Sequence, residues 1–429
     1  MAQKQRTYFC IDMKTFYASV ECAERGLNPF ETNLAVVDET RGKNALCLAI
    51  TPKMKAQGIK NRCRMSEIPK SINFIRALPR MQLYIDYAAD IYEIYLNYFD
   101  PQDIHVYSID ESFIDVTDYL GLYHIDAMTF AKKLMNEIAE KKRIPSTAGI
   151  GTNLYLAKIA LDITAKHSKD HIGYLDEETY IKTLWNHRPI TDFWQVAGGT
   201  ERRLAKYAIY DMEGIAKAPT ELLYKAFGVN AELLIDRAWG REPCLIKDIK
   251  NYHSKSKSVS FSQVLPRDYS YEEAKLVMSE MVLHGCHEMM RRHVITNKVG
   301  IYVGYTYGGR ESTGGTKRMQ ITTNLQSKIA PYVMELFEKT TDKRTPIRRL
   351  GIDFADVCDE GCEGYDLFTN FDEVEREKSR ERVVLELADK YGKNAILRGM
   401  NYMEGATQRE RNTFIGGHRA GYDDKGTKG

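Results

Sequence analysis

Long apolar runs are missing from this 429-residue chain. No stretch of about 18 hydrophobic residues occurs, so no membrane-spanning helix is expected. Cysteine is scarce. The eight residues, scattered from Cys10 to Cys362, are too sparse for a disulfide framework and read as reduced thiols. With 12 prolines and 30 glycines the chain is neither collagen-like nor of low complexity. The N-terminal MAQKQRTYFCID lacks the apolar core and small-residue cleavage site of a signal peptide, so a cytoplasmic location is expected. What is present is a globular composition, 43% hydrophobic and 28% charged. It is enough for about two to four domains with a sizeable core.

The net charge of +2 hides an uneven distribution. Residues 250–356 hold 17 basic and 11 acidic residues, and residues 357–429 hold 12 and 15. A second basic stretch runs from Arg41 to Arg64, with seven basic residues and no acidic one. Clustered positive charge suits a polyanion, either nucleic acid or polyphosphate, or is simply a solvated basic surface.

Along the chain, Thr7–Ile11, His105–Ile109, Phe113–Val116 and Thr147–Ile150 read as strands. Asp126 and Asn153 read as N-caps of helices, the first with Phe130, Leu134 and Ile138 on one face. This mixture predicts an α/β layer. Residues 171–240 are rich in helix formers broken at Gly198-Gly199, Gly214 and Gly228, a small helical module. The polar stretch 241–257 reads as a linker. Residues 258–356 alternate β-α-β-β-α-β, a ferredoxin-like order. From Asp356 the chain is acidic and irregular, with one more helix at about Glu375–Tyr391.

Asp12, Asp110 and Glu111 each stand at or just past the end of an apolar strand. If those strands are neighbours, three hard oxygen donors converge at the sheet rim, which suits Mg²⁺ and phosphoryl transfer. Spacing alone leaves open that Asp110-Glu111 is an ordinary solvated turn. His284-x-Cys286-His287 and Cys358-x-x-x-Cys362 lack the other half of a zinc site and read as chance.

Three motifs carry a resemblance. Asp12-Met13-Lys14-Thr15-Phe16-Tyr17-Ala18-Ser19-Val20-Glu21 resembles the D-x-x-x-F-Y-A-S-V-E opening of the Y-family (translesion) DNA polymerases. Tyr107-Ser108-Ile109-Asp110-Glu111-Ser112-Phe113 resembles their S-I-D-E motif, and Gly149-Ile150-Gly151-Thr152-Asn153 with Leu156-Ala157-Lys158-Ile159-Ala160 their third. The similarity covers about residues 5–356 and is strongest to the UmuC-type branch of Gram-positive bacteria and their mobile elements. It implies a multidomain α/β right-hand fold: palm over 1–15 and 81–170, small fingers over 16–80, and a helical thumb with a helix-hairpin-helix over 171–240. A linker at 241–257, a ferredoxin-like, DNA-binding little finger over 258–356 and a tail over 357–429 complete it.

By the same resemblance, Asp12, Asp110, Glu111 and the Met13 carbonyl are the ligands of two Mg²⁺ ions. Tyr17 is the gate against a ribose 2′-hydroxyl, with Phe16 as its packed neighbour at the nucleotide. Lys55 and Lys166 are triphosphate ligands, and Gly198-Gly199 is the hairpin at the DNA backbone. Pro52 and Leu154 stand where many members have a tyrosine and a lysine. Gly364-Tyr365-Asp366-Leu367-Phe368 resembles a degenerate sliding-clamp peptide without the usual glutamine, anchored by Leu367 and Phe368. The implied function is template-directed DNA synthesis from dNTPs on primer-template DNA, without proofreading, in DNA damage tolerance and the SOS response. A palm-type nucleotide cyclase would use similar carboxylates but needs neither the hairpin nor the basic distal domain. A catalytically silent DNA- or clamp-binding protein would not need the three carboxylates.

Overall fold

The computed structural model describes residues 5–254, 257–306, 308–364 and 369–421. They form two compact units, Met1–Tyr252 and His253–Gly429. Among the described residues no helix is long and apolar enough to cross a membrane.

The first unit is built on a five-stranded sheet. Its order is Ile104–Val106, Glu111–Asp115, Tyr8–Met13, Ser146–Gly151 and Ile172–Leu175. All neighbours are antiparallel except the last pair. The middle strand is continuously apolar from Tyr8 to Ile11 because it is covered on both faces, and all four residues are buried. On one face lies the helix Ala127–Lys142, capped by Asp126, whose carboxylate accepts the Thr129 N–H at 3.0 Å. It turns Phe130, Ala131, Leu134 and Ile138 inward. On the other lies the helix Leu154–Ile159, whose close approach requires glycine. A Cβ on Gly149 would stand 2.0 Å from the Ala157 carbonyl oxygen, and one on Gly151 2.1 Å from the Ala157 nitrogen.

Two smaller modules complete this unit. The strands Ala49–Ile50, Leu34–Val36 and Ile75–Ala77 form a three-stranded sheet over a small core that includes Val37, Cys47, Ile50, Met54 and Cys63. Five short helices, Glu177–Leu184 to Asn230–Ala238, pack around Tyr180, Phe193, Leu204, Met212 and Leu223. Several local readings differ from the structure. Gly214, read as a break, lies in the first turn of the helix Met212–Lys217, where its N–H donates to the capping Asp211 carboxylate at 2.9 Å, and the strand read at His105–Ile109 is Ile104–Val106, since the chain bends at 108–110. The strand Ile172–Leu175 joins the large sheet although its segment looked helical. The stretch 241–257, read as a linker, contains the helix Ile246–Asn251, and Ile246 is buried against Tyr8, Cys10 and Phe113. Six residues with two apolar positions, Ile246 and Ile249, are too few to show a period.

The second unit has the expected β-α-β-β-α-β order. Its sheet runs Thr313–Thr323, Val294–Tyr305, Ile347–Ala355, Val259–Tyr269, all antiparallel. Helices Tyr271–Arg291 and Gln326–Thr340 pack on Leu265, Val299, Ile301, Leu350 and Ile352. The alternate positions, including Ser260, Ser262, Lys298, Tyr302, Arg318 and Arg349, form the opposite face. The tail is more ordered than its composition suggests. The helix Phe371–Tyr391 adds Val374 and Leu385 to a cluster with Met290 and Leu325. Buried Glu280 accepts hydrogen bonds from the Asn401 side chain at 2.7 Å and the Thr407 N–H at 2.8 Å. Buried Glu381 is held by His287, Arg380 and Arg398. Burial pushes its carboxyl up, but these hydrogen bonds more than offset that and bring it down to about 2.

Candidate active site

The sheet register brings the three carboxylates together. Asp12 lies directly opposite Glu111, and the Met13 N–H donates to the Asp110 carbonyl at 2.9 Å. Asp110 occupies the turn before the strand Glu111–Asp115, so both acidic residues border the last two positions of the middle strand. Crowding shows in their electrostatics. Burial, then the charges of Asp110 and Glu111, push the Asp12 carboxyl up to about 8, against the pull of Lys158.

Glu111 and Asp110 each have a protein partner. Lys158 donates to Glu111 at 2.8 Å and to Asp162 at 3.2 Å, and the Cys10 thiol donates to the other Glu111 oxygen at 3.1 Å. Ser108 donates to Asp110 at 2.7 Å. Burial alone would lower the Lys158 ammonium, but Cys10, Glu111 and Asp162 together raise it and keep it charged. In this arrangement no three acidic, imidazole or thiol side chains among the described residues enclose an ion. The donor set nevertheless fits a divalent cation. It consists of hard oxygens at one rim, carries more negative charge than Lys158 balances, and is crowded enough to raise the Asp12 carboxyl.

Lys158 reaches Glu111 because its helix rests on Gly149 and Gly151. That helix then widens into a π turn, Ala160–Thr164, before a last 3₁₀ turn, Ala165–His167, that carries Lys166. Lys166 and Lys55 are exposed, and neither pairs with a carboxylate among the described residues. Burial lowers the Lys55 ammonium, Asp12 raises it, and Lys166 lowers it again, so the three groups share one region.

The adjacent rings divide as the sequence suggests. Phe16 is 2% exposed and packed. Tyr17 is half-buried, feels Asp110 and Arg62, and stacks on Tyr84 with centroids 4.7 Å apart. Buried Tyr84 donates to Glu21 at 2.8 Å, and Arg80 and Arg25 complete the shell of that carboxylate. Gly198 and Gly199 open the helix Gly198–Ala205, and nothing lies within 4 Å of where a Gly199 Cβ would be. Leu367 and Phe368 lie outside the described residues. Sequence reasoning missed the Lys158–Glu111 ion pair, Lys14, and the Tyr84–Glu21 support of Tyr17. Lys14 had one available signal, its place two residues after Asp12.

Comparisons with known proteins point to one family. The impB/mucB/samB family matches residues 11–162, and the C-terminal domain of that family matches residues 256–367. A putative UV-damage repair protein, UvrX, of Bacillus subtilis is 33% identical over 97% of this chain and 98% of its own length. A protein named DNA polymerase IV 2 from the same organism is 29% identical over 97% and 99%. Among solved structures, a Y-family DNA polymerase chimera of Dbh and Dpo4 matches 82% of this chain and all of its own, with a TM-score of 0.62 at 19% identity. The strand register, the three motifs and these matches together place the chain in the impB/mucB/samB family, the Y-family DNA polymerases of UmuC type.

Proposed function

We propose that the protein is a template-directed translesion DNA polymerase that extends a primer with dNTPs and acts without proofreading in DNA damage tolerance. The observation that carries this reading is the register that sets Asp12 against Glu111 and Met13 against Asp110 at one sheet rim, in a chain of this family. Asp12, Asp110, Glu111 and the Met13 carbonyl would hold two Mg²⁺ ions. Such ions supply positive charge against a triphosphate and acidify a primer 3′-hydroxyl for in-line attack on the α-phosphate.

The protein's own groups then have distinct tasks. Lys158 and Cys10 orient Glu111 through hydrogen bonds to its two oxygens. Lys55 and Lys166 are point charges for the triphosphate. Tyr17, braced by Tyr84, closes the space beside the sugar. The exposed Gly199 backbone offers N–H groups to DNA phosphates, and the open face of the second unit, with Lys298, Arg318 and Arg349, tracks the duplex through salt-sensitive contacts. Leu367 and Phe368 would anchor a sliding clamp, and induction in the SOS response fits a damage-tolerance role.

Primer extension with Mg²⁺ tests the reading. The wild-type protein should add dNTPs according to the template. Asp110→Asn should keep its fold and DNA affinity while extension falls by orders of magnitude, because an amide brings no charge to the ions. Extension by the variant at near the parental rate would remove the assignment.

A further inference from the structure

Lys14 stands where the strand Tyr8–Met13 turns into the helix Phe16–Glu24. Its backbone is tightly held. The N–H donates to the Pro145 carbonyl at 2.8 Å, and the carbonyl accepts the Ser19 hydroxyl at 2.6 Å. Thr15 follows in the left-handed region at φ 48°, which makes the turn sharp. The side chain is held as well. Its ammonium donates to Nδ1 of His171 at 3.0 Å and lies 5.9 Å from the centre of the Phe30 ring.

These neighbours leave its charge unanswered. No carboxylate among the described residues forms an ion pair with Lys14, and an imidazole that accepts at Nδ1 is neutral. The loop beside it brings further positive charge. Phe30 lies next to the Lys14 ammonium, while the carbonyl of the preceding Pro29 accepts the Lys53 N–H at 3.4 Å, docking the helix Pro52–Ala56 that carries Lys55. Lys166 stands on the turn Ala165–His167, which is tied to His171 through Ser168: the Ser168 N–H donates to the Ala165 carbonyl and the His171 N–H to the Ser168 carbonyl, each at 3.3 Å. A half-buried ammonium with a neutral partner and like charges around it is poorly compensated until an anion arrives. Together with the exposed Lys55 and Lys166, it suits a chain of phosphates beside the carboxylate rim.

We propose that Lys14 is a third phosphate-binding lysine, which with Lys55 and Lys166 holds the polyphosphate of the incoming nucleotide and the pyrophosphate that leaves. His171 is its positioning residue, holding the ammonium in place through Nδ1. The proposal rests on the polymerase reading for the identity of the ligand, though not for the existence of the anion site.

Two measurements on the full chain test it. The first is binding of inorganic tripolyphosphate, without DNA or nucleotide, followed by calorimetry. The parent should bind. Lys14→Gln should bind about tenfold more weakly, the loss expected for one charge-assisted hydrogen bond, and Lys14→Arg should recover most of it. The second is steady-state primer extension. Lys14→Gln should raise KM for dNTP and the inhibition constant of pyrophosphate by similar factors, with kcat and primer-template affinity little changed. A parent that does not bind tripolyphosphate, or a Lys14→Gln variant with parental affinity and KM, overturns the proposal. A variant that loses DNA affinity instead overturns it too, because that marks a general defect. If tripolyphosphate binds through Lys14 and the parent extends no primer, the polymerase reading fails and the anion site stands.

Discussion

Replacing Lys158 by methionine removes the positive half of a buried ion pair and leaves the negative half in place. The Lys158 and Glu111 side chains are only 10% and 8% exposed, and the pair spans 2.8 Å. After the change Glu111 keeps only the Cys10 thiol, a weak donor at 3.1 Å. Breaking a buried pair from one side costs about 3–5 kcal/mol, because an uncompensated charge stays inside. All three tryptophans, Trp185, Trp194 and Trp239, belong to the first unit, so their fluorescence reports its unfolding. With an m-value of about 3 kcal/mol/M in urea, the midpoint should fall by about 1 M or more. Adding Glu111→Gln to Lys158→Met removes the stranded charge and should recover most of the loss, giving a large coupling in the double-mutant cycle. A single variant within about 0.5 kcal/mol of the parent would show that water reaches the pair. A double variant less stable than the single would show that the charge on Glu111 is not what costs stability. Either result refutes the reasoning.

Other expectations follow from the same geometry. Tyr17→Ala should admit ribonucleotides: forcing a hydroxyl against a closed ring costs about 1–3 kcal/mol, roughly five- to two-hundredfold in discrimination. Phe16→Ala should instead cost stability, since that ring is packed; single-nucleotide insertion with dNTP and rNTP compares the two, and relaxed sugar choice only in Phe16→Ala would reverse their roles. Removing residues 253–429 should weaken primer-template binding and flatten its dependence on salt, measured by anisotropy between about 50 and 200 mM salt. An unchanged salt slope in the truncated protein would assign the basic face of the second unit to another partner.

Where information is local, the amino-acid order was sufficient. The apolar run Tyr8–Ile11 is a strand, Asp126 and Asn153 cap their helices through their own side chains, and the β-α-β-β-α-β order of the second unit follows from alternation and helical period. The motif residues Asp12, Asp110 and Glu111 were legible as a group from family resemblance, because spacing alone cannot say that two strands are neighbours. Other features were decided by the tertiary structure. Lys158 meets Glu111 across 47 positions only because Gly149 and Gly151 let a helix backbone descend onto the sheet. Lys14 finds His171 across 157 positions, and Glu280 collects N–H groups from a tail more than 120 residues away. The short helix Ile246–Asn251 shows no period yet buries Ile246, since a neighbouring apolar surface, not its own pattern, stabilises it. A side chain's charge state depends on which groups surround it after folding, and those come from distant parts of the chain. Residue types could therefore nominate the carboxylates, while only their packed surroundings raise Asp12, hold Glu111 on Lys158 and set Lys14 on His171.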